Sequence, residues 1–582
     1  MYLRTIARRN KDGSLVRYVQ LAHNERHPVS GNAVARVVHS FGREDQLHRA
    51  ALSRLVASIT RYLGPAAQLT LPDAGGGGER DGELVFVGSR QLGGTWVLDG
   101  LWRRLGIDER IRALLAGRRC DPQQVERVLF ALVANRALDP CSKLAATRWV
   151  GEVAHVPGLP GLDDDAAYRA MDLLCEIEDE LAQQVFWQVA TLLDLEVDLV
   201  FFDSTSTYWH RDTADEPLAR DGRGEPVSAD DPAAVRLGGF RAFGHSKDHR
   251  PDRPQIVVGM AVTRGGIPIR TWCWPGYTAD VTMIEQVRAD LRDWKLTRML
   301  WVTDRGFASE ANRRILQIGG GHYIQAEKLR GHGATSAVAA ALARAGRYRT
   351  VAGNLRVKEI NPRPGDSVLT DRFILCHNPE QALRDAAVRE QLLAQLGELI
   401  EGSDRLSATR RAELRGKIST QPGLNRYLRT TPGGLLRIDQ AAIKAEAHLD
   451  GKWLLRCSDP QLSAEDIALG YKQLIEVERG WRDLKTHLDL RPVFHRAERR
   501  IRAHVLLCWL ALLLVRIAET HDPTRTWRRI REQLQTLHLG EFTGNAGTAH
   551  QRTELTADQR DILSRLELPE PPRFLHLNAA TD

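Results

Sequence analysis

The sequence predicts an α/β protein: a mixed sheet with helical cover, preceded by a small β-rich module and a helical region. Three observations lead there. LEVDLVFFDSTSTYW, QIVVGMAV and IPIRTWCW are apolar runs of strand length, the last two separated only by Thr-Arg-Gly-Gly. After them, helix-period and strand-like segments alternate: MIEQVRADLRDW, RMLWVTDRGF, ASEANRRILQIG and HYIQAEK. Upstream, from Thr95 to Leu193, apolar residues such as Val125, Val128, Leu129, Leu132 and Val133 recur at helical spacing.

Taken in order, residues 1–70 alternate apolar and polar around Lys-Asp-Gly and again in AVARVVHSFGR before a short helical stretch, which gives the β-rich module. Residues 71–94 hold four consecutive glycines without hydrophobic periodicity and read as a linker. These glycines lack the Gly-Lys-Ser/Thr ending of a phosphate loop. Residues 95–195 form the helical region, expected to contact DNA. Residues 196–330 run strand, strand, strand, helix, strand, helix, strand, the order of the first part of a ribonuclease H-like core. Residues 331–460 break the rhythm with a long polar helix from Glu380 to Lys417 and read as a separate inserted α+β module. Residues 461–520 return to the core through one strong helix, EDIALGYKQLIEVERGWRDLKTHL, and the apolar run Val505–Val515, which is too short for a bilayer and reads as a buried helix. Residues 521–582 read as a C-terminal tail.

A chain of 582 residues predicts roughly four structural units. With 43% hydrophobic and 27% charged residues, global disorder is excluded. A net charge of +7 is compatible with a polyanionic partner. The seven cysteines are odd in number and form no CxxC pair, which argues against a disulfide framework or a structural zinc and for a reducing cytoplasm. The first residues carry cations without an apolar segment, so no secretory signal is expected.

Three carboxylates stand out. Asp203 ends VDLVFF and Asp304 ends MLWVT, both where a central strand meets the surface, where open α/β sheets place their sites. The alternative for each is a turn or cap residue. Glu478 lies in YKQLIEVERGWRDLK, and steps of seven residues on a continuous helix put Tyr471, Glu478 and Lys485 on one stripe. The alternative is a solvated face with Glu478 paired to Arg482. Three converging carboxylates repel one another unless they hold a hard cation, and two Mg²⁺ ions are suited to in-line displacement at phosphorus.

FFDSTSTYW, GHSKDHRPDRPQIVVGMAV, VTDRGFAS and the spacing Tyr471-x2-Leu-x3-Glu478-x6-Lys485 together resemble bacterial insertion-sequence DDE transposases of the group with a Tyr-Arg-Glu-Lys signature. The aspartates lie 101 residues apart, and 174 residues then leave room for an insertion domain before the glutamate. The resemblance implies a ribonuclease H-like core and cut-and-paste transposition at element ends. It implies Asp203, Asp304 and Glu478 as the metal-binding triad, with two Mg²⁺ (Mn²⁺ as a substitute), Asp203 bridging both and the other two holding one each. Strand cleavage would free a 3′-hydroxyl that attacks target DNA. It also implies Tyr471 and Lys485 as DNA contacts near the scissile phosphate. The signature arginine position is Leu474 here, so one cation is missing.

Residues 471–505 carry nine Lys and Arg against five acids, which fits phosphate neutralisation by Arg479 and Arg482. In HSKDHRPDR, Lys247 and Arg250 are read as DNA contacts or active-site support. Trp209 and Trp481 are read as core residues rather than stacking platforms, and His210, His245, His249 and His487 as ordinary polar histidines. Asp280 is read as a cap-region residue of the helix that follows it. The expected partners are double-stranded DNA, as element ends and target, and a second copy of the chain, giving a homodimer on paired ends; no membrane partner is expected. The expected location is the bacterial cytoplasm, at the nucleoid. A stand-alone ribonuclease H-like nuclease or a catalytically inactive DNA-binding derivative are the alternatives; the first needs none of the extra domains, and the second would be expected to have lost triad members.

Overall fold

The computed structural model describes residues 2–9, 15–26, 33–43, 85–194, 199–292, 294, 299–330, 346–360, 371–544 and 547–579. Two compact units, residues 1–81 and 82–582, make up the chain. The first holds an antiparallel meander of β1 (Tyr2–Arg9), β2 (Leu15–Arg26) and β3 (Ala33–Arg43). The short helical stretch and the four-glycine run expected after it lie outside the described residues.

The second unit opens with a strand where the linker was expected: β4 (Val85–Gln91). It pairs antiparallel with β14 (His538–Gly544), which continues through β15 (Gly547–Arg552) to β16 (Phe574–Ala579) in a four-stranded sheet. The segment expected as a tail is therefore structured. The strand of residues 85–91 escapes periodicity because its apolar residues Val85, Phe86 and Val87 are consecutive and all exposed rather than alternating, and its partner strand lies some 450 residues away.

Helices α1 (Gly93–Arg104), α2 (Ile107–Leu115), α3 (Pro122–Leu138), α4 (Asp164–Glu176) and α5 (Glu178–Leu192) follow. Asp121 caps α3 by accepting from the Gln123 and Gln124 amides, with Pro122 in the first turn where its missing N–H costs nothing. Residues 126–138 of α3 are buried all round, because the helix packs against α4 and against α12 (Glu498–His521), which is buried from Val505 to Ala518. The stretch of α12 apolar enough to cross a membrane is 94% buried inside the protein, so it is the core helix of this layer.

The core sheet has the order β10-β11-β12-β13-β9-β8-β5-β6-β7. Strands β5 (Leu199–Tyr208), β6 (Gln255–Val262) and β7 (Pro268–Pro275) form an antiparallel meander, and every residue of β6 is buried, as a strand covered on both faces requires. Helices α6 (Met283–Arg292) and α7 (Glu310–Gln317) cross over to β8 (Leu300–Thr303) and β9 (His322–Ala326), each parallel to its inner neighbour. This is the ribonuclease H-like arrangement.

The segment 331–460 does not stand apart as a whole. Its strands β10 (Arg349–Ala352), β11 (Leu355–Ile360), β12 (Arg372–His377) and β13 (Lys452–Cys457) extend the core sheet, with β13 antiparallel to β9. Without β13, β9 would be an open edge with unpaired backbone groups. At this junction Arg456 pairs with Asp371 while Tyr323 donates to the same carboxylate at 2.7 Å, all three buried. The helical part, including α8 (Pro379–Ile400) and α9 (Ala408–Ser419), has its own small core around Leu396, Ile418, Leu424 and Tyr427, and one face of the added strands has another around Ile360, Phe373, Leu375 and Leu454.

The strong helix expected over residues 465–488 is two: α10 (Ala464–Lys472) and α11 (Ile475–Thr486). Between them Leu474, Glu476 and Val477 donate three residues back, to Tyr471, Gln473 and Leu474, in a tight turn.

Candidate active site

The apolar residues Val200–Phe202 bury the first half of β5; Asp203 follows in mid-strand, a correction to the strand end expected from sequence, at the level where the pairing with β8 stops while that with β6 continues to Tyr208. Phe202 lies opposite Thr303 in the parallel pair with β8, so Asp203 and Asp304 follow at the same level on adjacent strands. Burial is the first cause that pushes the Asp203 carboxyl up to about 6; Lys247 and the Ser204 amide oppose it, and the Asp304 and Asp280 carboxylates add to it.

Tyr471, from α10, donates to Asp304 Oδ1 at 3.1 Å. Its hydroxyl is held well above the usual tyrosine range by burial, by Asp304 and, in smaller part, by Glu478. Glu478 itself is exposed on α11, and among the described residues it has neither an ion pair nor a side-chain hydrogen bond. The Glu478–Arg482 pair weighed from sequence does not form. α11 lies along β5 and β6, seated where Gly480 leaves space for the Met260 methyl; a Cβ there would come 2.6 Å from it.

One continuous helix through Tyr471, Glu478 and Lys485 is a correction, because a tight turn at residues 473–474 separates α10 from α11. Tyr471 turns to Asp304, whereas Lys485 turns to Asp248 at 2.9 Å, and Arg491 binds the other Asp248 oxygen at 2.8 Å. Burial lowers the Lys485 ammonium from its ordinary range, and Asp248 opposes that. Lys247, half-buried, points inward: it donates to the Ser204 carbonyl at 2.9 Å and stands 3.2 Å from Asp280. Arg250 is on the surface, paired with Asp252 at 2.8 Å. Arg479 pairs with Glu519 at 2.8 Å, while Arg482 is exposed with no ion-pair partner among the described residues. Arg482 and Arg479 line a cavity of about 240 Å³ together with Trp527, Arg528 and Arg531. Trp209 and Trp481 are both buried.

Asp280 is the residue that sequence reasoning mistook. It opens the 3₁₀ turn Asp280–Thr282, yet its carboxylate accepts from Ser204 Oγ at 2.7 Å and pairs with Lys247 instead of capping. Asp248, the anchor of Lys485 and Arg491, was missed as well. No spacing signal marks either residue, since both partners arrive from other elements.

Asp203 and Asp304 offer hard oxygens side by side, and a carboxyl lifted first by burial and further by the Asp304 and Asp280 carboxylates is short of positive charge, which a divalent cation would supply. Among the described residues no three Asp, Glu, His or Cys side chains already stand close enough to share an ion. The two aspartates fit; Glu478 would have to close on them.

Residues 3–68 match the IS1634 family transposase, N-terminal domain, and residues 198–514 match the Transposase DDE domain. No curated protein matches the chain. Among solved structures, the piggyBac transposase synaptic complex with hairpin DNA is similar at 9% identity, covering 82% of this chain and 85% of that one with a TM-score of 0.33. With the DDE match spanning more than half of its length and the insertion-sequence N-terminal domain matched ahead of it, the chain belongs to the DDE transposases of insertion sequences.

Proposed function

We propose that Asp203, Asp304 and Glu478 are the catalytic carboxylates of this transposase, and that they hold two Mg²⁺ ions, or Mn²⁺ in their place, at the ends of the insertion sequence. DDE transposase domains generally work with divalent metals. A bound divalent ion supplies a Lewis acid for displacement at phosphorus. The chain's own part is to present Asp203 and Asp304 rigidly from adjacent strands, to orient Asp304 through Tyr471, and to bring Glu478 in on α11. The observation that carries this reading is the Asp203 carboxyl, raised to about 6 beside Asp304 on the neighbouring strand.

For DNA, the reading assigns Tyr471, Lys485, Arg479, Arg482, Lys247 and Arg250 to the neighbourhood of the scissile phosphate. Of these, Arg482 is the cation most available to a phosphate, being exposed and without a carboxylate partner among the described residues; Lys485 would contact DNA only by sharing or leaving Asp248. A homodimer acting on paired ends, in the bacterial cytoplasm at the nucleoid, completes the proposal. The β1–β3 unit is the candidate for end recognition.

The test changes Asp203, Asp304 and Glu478 singly to Ala and assays excision and strand transfer with Mg²⁺. Each should abolish both, and near-normal activity in any one overturns its assignment. Joined target products, rather than nicks alone, separate a transposase from a stand-alone nuclease. Removing residues 1–81 should abolish specific end binding, and unchanged binding refutes the recognition role.

A further inference from the structure

Asp203 and Asp304 share their corner with a lysine gripped by several partners. Lys247 Nζ donates to the Ser204 carbonyl at 2.9 Å and to Ser204 Oγ at 2.6 Å. It stands 3.2 Å from Asp280 Oδ2 and 4.0 Å from Asp203 Oδ1. The Ser204 hydroxyl accepts from Lys247 and donates to Asp280 Oδ1 at 2.7 Å, so one side chain ties the other two together. The loop carrying the lysine is pinned as well: the Lys247 amide donates to Ser206 Oγ at 3.0 Å, and Gln255 donates to the His245 carbonyl at 2.9 Å. Asp280 owes its place to Gly306, where a Cβ would come 2.9 Å from Asp280 Oδ2. The backbone two residues beyond Asp304 thus makes room for Asp280.

An ammonium beside Asp203 competes with any other cation for that carboxylate. Between its two carboxylates Lys247 lies nearer Asp280, and the Ser204 bridge adds a second tie on that side. Of these four residues the family resemblance accounts for Asp203 alone.

We infer that Asp280 is a positioning residue that parks Lys247 away from Asp203, leaving the Asp203 carboxylate open to a divalent cation. This rests on the reading of Asp203 as a metal ligand. Neutralising Asp280 removes the nearer acceptor, and Lys247 then turns to Asp203 and excludes the ion. Removing Lys247 as well removes the competitor. The two substitutions therefore act in opposite directions, which a purely structural role for Asp280 does not produce.

The experiment titrates Mn²⁺ into the full-length chain without DNA, read by calorimetry and by the electron paramagnetic resonance of the free ion. The proteins are the wild type, Asp203→Asn, Asp280→Asn, Lys247→Met and the Lys247→Met/Asp280→Asn double variant. Asp280→Asn keeps the shape of the side chain and an acceptor for Ser204. It should weaken the Asp203-dependent binding roughly tenfold, as expected when a unit charge closes to ion-pair distance in a partly screened site. Lys247→Met should tighten it, and the double variant should recover at least wild-type affinity. Wild-type affinity in Asp280→Asn, or a double variant as weak as Asp280→Asn, overturns the parking role alone. Equal binding by the wild type and Asp203→Asn overturns the metal reading of Asp203 itself. If Asp280→Asn does not fold, Lys247→Met still decides, because unchanged or weaker Mn²⁺ binding in that variant refutes the competition.

Discussion

Asp203→Asn should make the metal-free protein more stable, and only above a definite pH. A carboxyl whose pKa moves from 3.8 to about 6 on folding is harder to ionise in the native chain than in the unfolded one. The native state then holds the proton over the window between these values while the unfolded state has lost it. Stability therefore falls as pH rises from about 4 to about 6 and stays reduced above that. At 1.36 kcal/mol per pH unit the full cost is about 3 kcal/mol. An amide of the same shape carries no such cost. In metal-free buffer, urea unfolding followed by tryptophan fluorescence should show Asp203→Asn more stable than the wild type by about 3 kcal/mol at pH 8, with the gap closing towards pH 4. Mg²⁺ should narrow the gap at pH 8 by stabilising the wild type. A variant no more stable at pH 8, or one whose advantage is the same at pH 4 and pH 8, refutes the account of Asp203 as a buried carboxyl short of positive charge.

Three further outcomes follow from particular contacts. Tyr471→Phe removes the hydroxyl that donates to Asp304 at 3.1 Å; a hydrogen bond to a charged group contributes about 1.5–3 kcal/mol, so the variant should lose up to that much stability in chemical denaturation, and single-turnover end cleavage by the folded protein should slow by about tenfold or more because Asp304 is no longer oriented. Arg456→Met leaves Asp371 buried with only Tyr323 as a partner; it should destabilise the protein by about 3–5 kcal/mol in chemical denaturation, and a loss below 1 kcal/mol would contradict the buried pair at the β9–β13 junction. Gly244→Ala places a Cβ 1.9 Å from the Gly276 carbonyl oxygen, a backbone atom that no side-chain rotation relieves; the variant should lose at least 1–3 kcal/mol and, through the displaced loop, the seating of Lys247 three residues on, visible as a lowered melting temperature.

Much of the core was legible because it rests on local regularities. Apolar runs of strand length, a two-glycine turn between β6 and β7, and amphipathic segments before β8 and β9 are written in consecutive residues, as is the position of Asp203 and Asp304 at the ends of buried runs. The break between α10 and α11 was not legible. The repeat from Tyr471 to Lys485 reads as one continuous helix, and the tight turn at residues 473–474 rests on backbone hydrogen bonds that no residue spacing marks.

The order of strands and helices from β5 to β9, the buried character of α12 and the placement of Asp203 and Asp304 directly after buried apolar residues follow from the sequence alone, because each depends on residues within a few positions of one another. Which elements meet depends on pairings that no local pattern encodes. Examples are β4 with β14, β13 with β9, Asp280 with Lys247 and Ser204, and Asp248 with Lys485 and Arg491. Backbone donors at a strand edge accept any partner of the right length, and a carboxylate pairs with whichever cation the fold brings near it. Only the tertiary structure chose among them, since the choice minimises unpaired polar groups and unbalanced charge over the whole unit rather than within any one segment.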